Sequence, residues 1–390
     1  MSKSSKDETN GPEGQCLSVK RLVSIDVLRA LSILAMIQIH FVAEFSDFEP
    51  SSGVLWAVWV WFLGDLPAPI FSFLLGLSLY LWLQKKKASD WSKDQVAKAV
   101  VRRGLFLFML GLAFVTFIWR PKYIFTWEIL TFLGSATVLL LPLRNWSVKR
   151  LLMLVLLVMV VSPPLRAVTD YSSFWGGESW EYYDPKFTIF SVTLGYLLHG
   201  YVPVFPWIVF PLMGFIVGKQ LTSSPDGKVV AGPSILSLGL VFGCLGGISM
   251  ALARTMPSSL KGYFCSPSYA PTSTSYICIM VGVFCLGFWI LNRYLDNREG
   301  SSQKFVLSSF QRYSAFSLTT YVVHHMVIVW PLYVIALCRG EVVHYYLSNA
   351  VSTPTAVLLA VVFIIVFDRL LVVWTSLRKY SLEGLLRWLM

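Results

Sequence analysis

Two ionisable residues stand in the first strongly apolar stretch of the chain. The segment reads "LRALSILAMIQIHF", residues 28–41, with Arg29 near its start and His40 near its end. A helix turns about 100° per residue, so the eleven steps between them bring the two side chains within about 20° of each other around the axis. Ile33 and Met36 fall on the same stripe, and the rise from Arg29 to His40 is roughly 16 Å. Asp26 precedes Arg29 by three residues, the spacing at which a carboxylate and a guanidinium pair on one helix face. A guanidinium holds anions such as phosphates, and an imidazole is a general base near neutral pH. One face therefore offers an anion-binding group, an apolar interval and a proton acceptor. Each residue also has a bland reading: Arg29 can snorkel toward headgroups beside Asp26, and His40 can be an interhelical hydrogen-bonding residue.

The remaining histidines are His199, His324, His325 and His344. His324 and His325 lie together in "FSLTTYVVHHMVIVW", one turn after Tyr321. No third ligand follows at helical spacing, so no metal is expected. The pair reads as polar packing between helices or, with Tyr321, as a weak candidate for lining an acceptor channel. His199 and His344 fall near outer ends of apolar runs and read as interfacial. Cys244, Cys278 and Cys285 read as packing residues, Cys16 belongs to a polar tail, and Cys265 and Cys338 fall on one side, where they could pair. No Walker loop, GxSxG, HExxH or CxxC is present, which excludes the easily read soluble chemistries.

The elements that must position these residues follow from composition. Of 390 residues, 56% are hydrophobic and only 14% charged, and the mean hydropathy is +0.64. Long, near-continuous apolar runs recur along the chain, so the fold class is all-α: a polytopic integral membrane helix bundle, not an alternating barrel. Ten spans are expected at 22–43, 56–83, 102–119, 126–143, 149–162, 195–218, 233–253, 274–292, 314–337 and 355–376. The first run starts after residue 20 and reads as a retained span, not a cleaved signal. Residues 1–20 read as a disordered cytoplasmic tail, 21–378 as the multi-pass domain and 379–390 as a short amphipathic cytoplasmic tail. With this topology the inward segments carry 23 of the 32 basic residues and the outward ones seven, which places both termini in the cytoplasm. The net charge of +11 is thus explained by topology and anionic headgroups, and no nucleic-acid partner is implied. The compartment is a plasma or inner membrane in a bacterium, or a lysosomal or other endomembrane in a eukaryote.

Two spans read as broken. "VLWAVWVWFLGDLPAPIFSFLLGLSLYLWL" carries Asp65, Pro67 and Pro69, and "LGYLLHGYVPVFPWIVFPLMGFIVGK" carries Pro203, Pro206 and Pro211. Proline removes a backbone donor, and irregular backbone at membrane depth belongs where it lines a cavity. Asp65 then sits near the outer edge of the hydrocarbon, at a depth similar to His40. The outer loops 163–194 and 254–273 are rich in aromatics and suit either glycan faces or an interfacial belt.

With those residues in view, "RLVSIDVLRALSILAMIQIHF" resembles the opening of the transmembrane acyltransferase superfamily, and an arginine, ten residues and a histidine resembles its acyltransferase-3 branch. "APIFSFLLGLSLYL", "RRGLFLFMLGL", "HGYVPVFPWIVFPLMGFIVGK" and "SLTTYVVHHMVIV" resemble the heparan-α-glucosaminide N-acetyltransferase branch, the DUF1624 group. The resemblance covers about residues 20–335. It implies a membrane enzyme of ten or eleven helices taking an acyl group from cytoplasmic acetyl-CoA, or another acyl-CoA, to an amino or hydroxyl group of a glycan or other acceptor on the outer or luminal side. In the animal N-acetyltransferase an asparagine matches His40 and a histidine lies in the next loop. Here "VAEFSDFEPSSG" has none, so catalysis is assigned to His40.

In that scheme Arg29, Arg102 and Arg103, with Asp26, form the donor's phosphate-binding mouth. The acyl arm threads past Ile33 and Met36. His40 is the general base and Asp65 its orienting carboxylate, with Glu44 and Asp47 as weaker candidates. A homodimer is compatible with this reading. The rival reading is a transporter or flippase of small molecules or lipid-linked glycans, which broken helices and intramembrane charge also suit. A third is a degenerate sensor or assembly subunit, against which the intact Arg29/His40 pair argues.

Overall fold

The computed structural model describes residues 21–46, 64–119, 121–169, 171, 188–223, 229–296, 304–340 and 350–388. Outside them lie the tail 1–20 with Cys16, residues 56–63 of the second expected span, Asp47, His344 and most of the aromatic loop. The described part is all-helical, as expected from the composition.

Nine helices among the described residues are long and apolar enough to cross a membrane. The first is α1 (Val23–Phe45), followed by α2 (Pro67–Ala88) and α3 (Lys93–Phe114), which runs on through a π turn at Val115–Trp119. Then come α4 (Ile129–Leu139), α5 (Val148–Val168) and the broken pair α6 (Ile189–Leu194) and α7 (Val209–Leu221). Next are α8 (Pro233–Ala251), α9 (Thr274–Leu291), α10 (Lys304–Ala315), α11 (Ser317–Arg339), α12 (Thr353–Trp374) and the short terminal α13 (Leu382–Trp388).

The fourth expected span is the element that differs most. It is the 11-residue α4, roughly 16 Å long and so only half the thickness of a bilayer core. It packs antiparallel along α3, where Gly104 meets Gly134 and Gly111 meets Thr131. Its N-terminus therefore starts inside the protein, and the preceding 121–128 segment supplies the irregular backbone. Trp127 holds a left-handed φ of 57° there, a costly conformation that only surrounding packing can impose. Its buried ring is clamped by Phe108, Phe125 and Tyr196, and its carbonyl accepts from Val202 N–H. The effect is to aim the next residue, Glu128, into the bundle.

The two proline-rich segments break as expected. Pro67 opens α2, where its missing N–H costs nothing. The other segment leaves helix at Gly200–Pro203 between the π turn Gly195–His199 and α7. α2 and α7 then press together at glycines. A Cβ on Gly76 would lie 1.9 Å from the Pro211 carbonyl oxygen, and one on Gly214 1.8 Å from that of Phe73. Only glycine permits that backbone approach.

α1 runs through the middle of the bundle against α2, α10, α11 and α12. Its first N–H groups are capped from afar: Asp296 Oδ1 accepts from Val23 N at 2.6 Å, and Asn292 steadies the other oxygen at 2.9 Å. A carboxylate at a helix N-terminus satisfies orphan donors and opposes the positive dipole end. α10 is locked to α12 by a bidentate Arg312–Asp368 pair. Cys265 and Cys338 are both free thiols, so the pairing considered from sequence does not form.

Candidate functional site

α1 lies along the end of α10 and then along α11. Arg29 Nη1 donates to Ser314 Oγ at 3.0 Å just before α11, and eleven residues later His40 Nδ1 meets His324 Nε2 at 3.0 Å. The stripe read from the sequence is the packed one, with Ile33 and Met36 buried between them. A cavity of about 570 Å³ follows this seam. It opens among Arg21, Arg29, Arg103 and Arg387 and reaches Met36 and Tyr321, just short of the histidines.

At the arginine end the expected Asp26–Arg29 pair is replaced by a relay. Asp26 forms its salt bridge with Arg21 at 2.5 Å. The Ser314 hydroxyl donates to Asp26 Oδ1 at 2.6 Å and accepts from Arg29, while Arg29 Nη2 donates to Ser78 Oγ at 3.1 Å. Arg29 is thus held by two hydroxyls and, among the described residues, forms no direct ion pair. Arg103 stands in the same wall, its Nε buried without a hydrogen-bond partner among the described residues. Arg102 does not line the cavity: one residue is about 100° of helix, and its side chain is exposed on the other face of α3. Arg387, on α13, was not foreseen. Its helix is tied down by Glu383, which accepts from Thr319 N at 2.8 Å and Thr319 Oγ1 at 2.6 Å.

At the histidine end His40, His324 and His325 cluster, with ring centroids 4.0–5.3 Å apart. Their tautomers follow from their partners. His324 Nδ1 and His325 Nδ1 each contact a backbone carbonyl of the preceding turn, Thr320 O and Tyr321 O, at 2.9 Å. A carbonyl only accepts, so both Nδ1 atoms carry a proton and, in the neutral rings, both Nε2 atoms are lone pairs. His324 Nε2 must then accept from His40 Nδ1–H. The neutral His40 is left with a basic Nε2, and the Thr320 carbonyl, His324 and His40 form one oriented relay. The group that the structure sets against the His40 ring is His324. Among the described residues no hydrogen bond joins Asp65 to His40; the Asp65 carbonyl instead accepts from the Tyr276 hydroxyl at 2.6 Å.

Between the two ends stands Tyr321. It lines the cavity, packs 4.9 Å from the His325 ring and donates its hydroxyl to Glu128. Glu128 also N-caps α4 through Leu130 N at 3.0 Å. Glu128 was missed from sequence, although a carboxylate inside the apolar run "FTWEILTFL" is itself a signal. Phe114 and Trp119 close the far side of His325. Glu44 follows His40 by one turn of α1. His199 is fully buried within the protein and bonded to Thr169 at 2.7 Å.

A relay-held imidazole and a cluster of guanidiniums at opposite ends of one seam is the setting in which the comparison with known families becomes decisive. Residues 21–250 match the family described as heparan-alpha-glucosaminide N-acetyltransferase, catalytic. The chain belongs to this family. The match spans more than half of the chain and includes Arg29, His40, Arg103 and Glu128, so an N-acetyltransferase-like, multi-pass membrane enzyme is the class shown. It ends before α11, which brings Tyr321, His324 and His325. No match was found among curated proteins.

Proposed function

We propose that this family member takes an acyl group, most simply acetyl, from cytoplasmic acyl-CoA and delivers it to an amino or hydroxyl group of a glycan or similar acceptor across the membrane. The observation that carries the reading is the seating of α1 against the end of α10 at Arg29 and against α11 at His40, with arginines at one end of the seam and an imidazole at the other. Both ends belong to one catalytic path.

Arg29 and Arg103, with Arg21 and Arg387, hold the donor's phosphates at the mouth, which the positive-inside rule puts in the cytoplasm. Apolar Met36, Leu130 and Leu133 line the way for the thin acyl-bearing arm. Beyond Tyr321, His40 Nε2 takes a proton from the acceptor N–H or O–H as that atom attacks the thioester carbonyl. A C–N or C–O bond forms, the C–S bond breaks, and the proton passes from His40 to the departing thiolate. His324 keeps the His40 ring oriented, as the third group of a nucleophile–base–orienter set does.

The test is acyl transfer by the purified chain from labelled acetyl-CoA to a panel of amino sugars and glycans. Transfer is expected from the wild type, and a fall of about 10²–10⁴-fold in His40→Ala. Undiminished transfer by His40→Ala overturns the assignment of the base. Substrate flux through liposomes with no transfer to any acceptor establishes the transporter reading instead.

A further inference from the structure

The sequence offered two adjacent histidines and no third ligand; the fold supplies the third from 284 residues away. One ligand nitrogen from each of His40, His324 and His325 lies within 4.8 Å of the other two. We propose that these three imidazoles form a binding site for a divalent first-row transition ion of the zinc class, and that its occupancy turns the His40 base off.

Three features support it. The first is donor chemistry: three neutral imidazoles with an open fourth position are a known zinc set. The second is the outer shell. Metal-bound histidines characteristically donate their other ring N–H to a carbonyl or carboxylate, which fixes tautomer and ring angle. His324 and His325 already do so, to Thr320 O and Tyr321 O, which leaves Nε2 of each neutral ring as its ligand nitrogen. The third is freedom to close. At zinc–nitrogen distances of 2.0–2.1 Å, tetrahedral ligand atoms stand about 3.3 Å apart. His40 and His324 are already at 3.0 Å, and His40 has no ring hydrogen bond to backbone among the described residues. Its ring can therefore turn to draw the set together. The arginines, which would repel a cation, line the other end of the cavity.

The effect on His40 does not depend on which nitrogen binds. Through Nε2, the ion occupies the lone pair that takes the acceptor's proton. Through Nδ1, the ion displaces the hydrogen bond to His324 and leaves the ring's proton on Nε2. Either way no basic nitrogen remains. This consequence rests on the function proposed above; the binding itself does not.

The experiment uses the full chain in detergent, free of any histidine tag, with Co²⁺ as the probe. One Co²⁺ per chain is expected, with the visible absorption of a four-coordinate site, displaced by Zn²⁺. His324→Ala and His325→Ala should abolish the absorption, and Arg103→Ala should keep it. Because a histidine variant can fail to fold, Zn²⁺ should also raise the thermal midpoint of the wild type and leave that of a monodisperse His325→Asn protein unmoved. Absent or substoichiometric absorption, or absorption that survives the histidine changes, overturns the site. In the transfer assay, saturating Zn²⁺ should lower turnover by more than about tenfold, reversibly with chelator. Co²⁺ bound at the histidines of a protein that transfers no acyl group would leave the metal site standing and remove the proposed function.

Discussion

The two ends of the seam solve opposite problems with similar materials. At the arginine end, cationic groups come from the chain just before α1, from α1, from α3 and from α13, and their partners are mostly serine hydroxyls. A single carboxylate ion pair is formed there among the described residues, and the Arg103 Nε has no partner. At the histidine end, carbonyls fix two of the rings and the third is bonded to one of them. In the function proposed above, the first region keeps donor capacity in reserve for a polyanionic ligand. The second uses its hydrogen bonds for orientation, which in the proposed function serves proton transfer, because a preorganised group needs no rearrangement when charge develops.

The largest effects should separate those roles. His40→Ala should lower kcat by about 10²–10⁴-fold and leave the Kd for acyl-CoA unchanged. Arg29→Ala should do the reverse. Losing a hydrogen-bonded cation from a phosphate costs about 1.5–3 kcal/mol, or about 10–150-fold in donor Kd, with a smaller change in kcat. Equilibrium binding of acyl-CoA together with steady-state kinetics measures both. If each variant moved kcat and Kd alike, the division between the ends would be lost.

The contrast sharpens at two neighbouring residues. Arg103→Ala should weaken donor binding on the scale of Arg29→Ala, whereas Arg102→Ala should change it by no more than about twofold, as an exposed surface substitution does. Equal effects would move the cavity to the other face of α3. Sequence alone could not choose between these two, because adjacent residues differ only in angle and the angle of α3 is set by Gly104 and Gly111 fitting against α4. The same reason explains the other misreadings. The face of α1 was legible, since helical period fixes it. Ser314 between Asp26 and Arg29, and His324 in place of Asp65 at His40, come from segments nearly 300 residues distant and leave no local trace. α4 read as a full span because its apolar run is long enough; the φ of 57° at Trp127 and the inward turn of Glu128 belong to tertiary packing.

An intermediate effect should come from the boundary between the ends. Tyr321→Phe keeps the ring against His325 and removes the donor to Glu128. A buried carboxylate left without that donor costs about 1–3 kcal/mol. Part of it should appear as a lower thermal midpoint and part as a several-fold loss in kcat, with the donor Kd unmoved. A change confined to the donor Kd would place Tyr321 with the arginines.

The smallest effect should arise where the arginine end is closed by the C-terminus. Glu383 holds α13 to the first turn of α11 through Thr319 N and Oγ1, and α13 brings Leu386 and Arg387 into the cavity wall. Glu383→Gln preserves an acceptor but removes the charge facing a helix N-terminus, a difference of about 0.3–1 kcal/mol. Donor Kd should therefore rise by no more than about fivefold, while Arg387→Ala should raise it further. Neither should alter kcat, because α11 is held independently at its histidines by the α1 contact. A fall in kcat for Glu383→Gln would show instead that the first turn of α11 transmits the state of the mouth to the His324–His40 relay, and the two ends would then be coupled through that helix rather than merely joined by it.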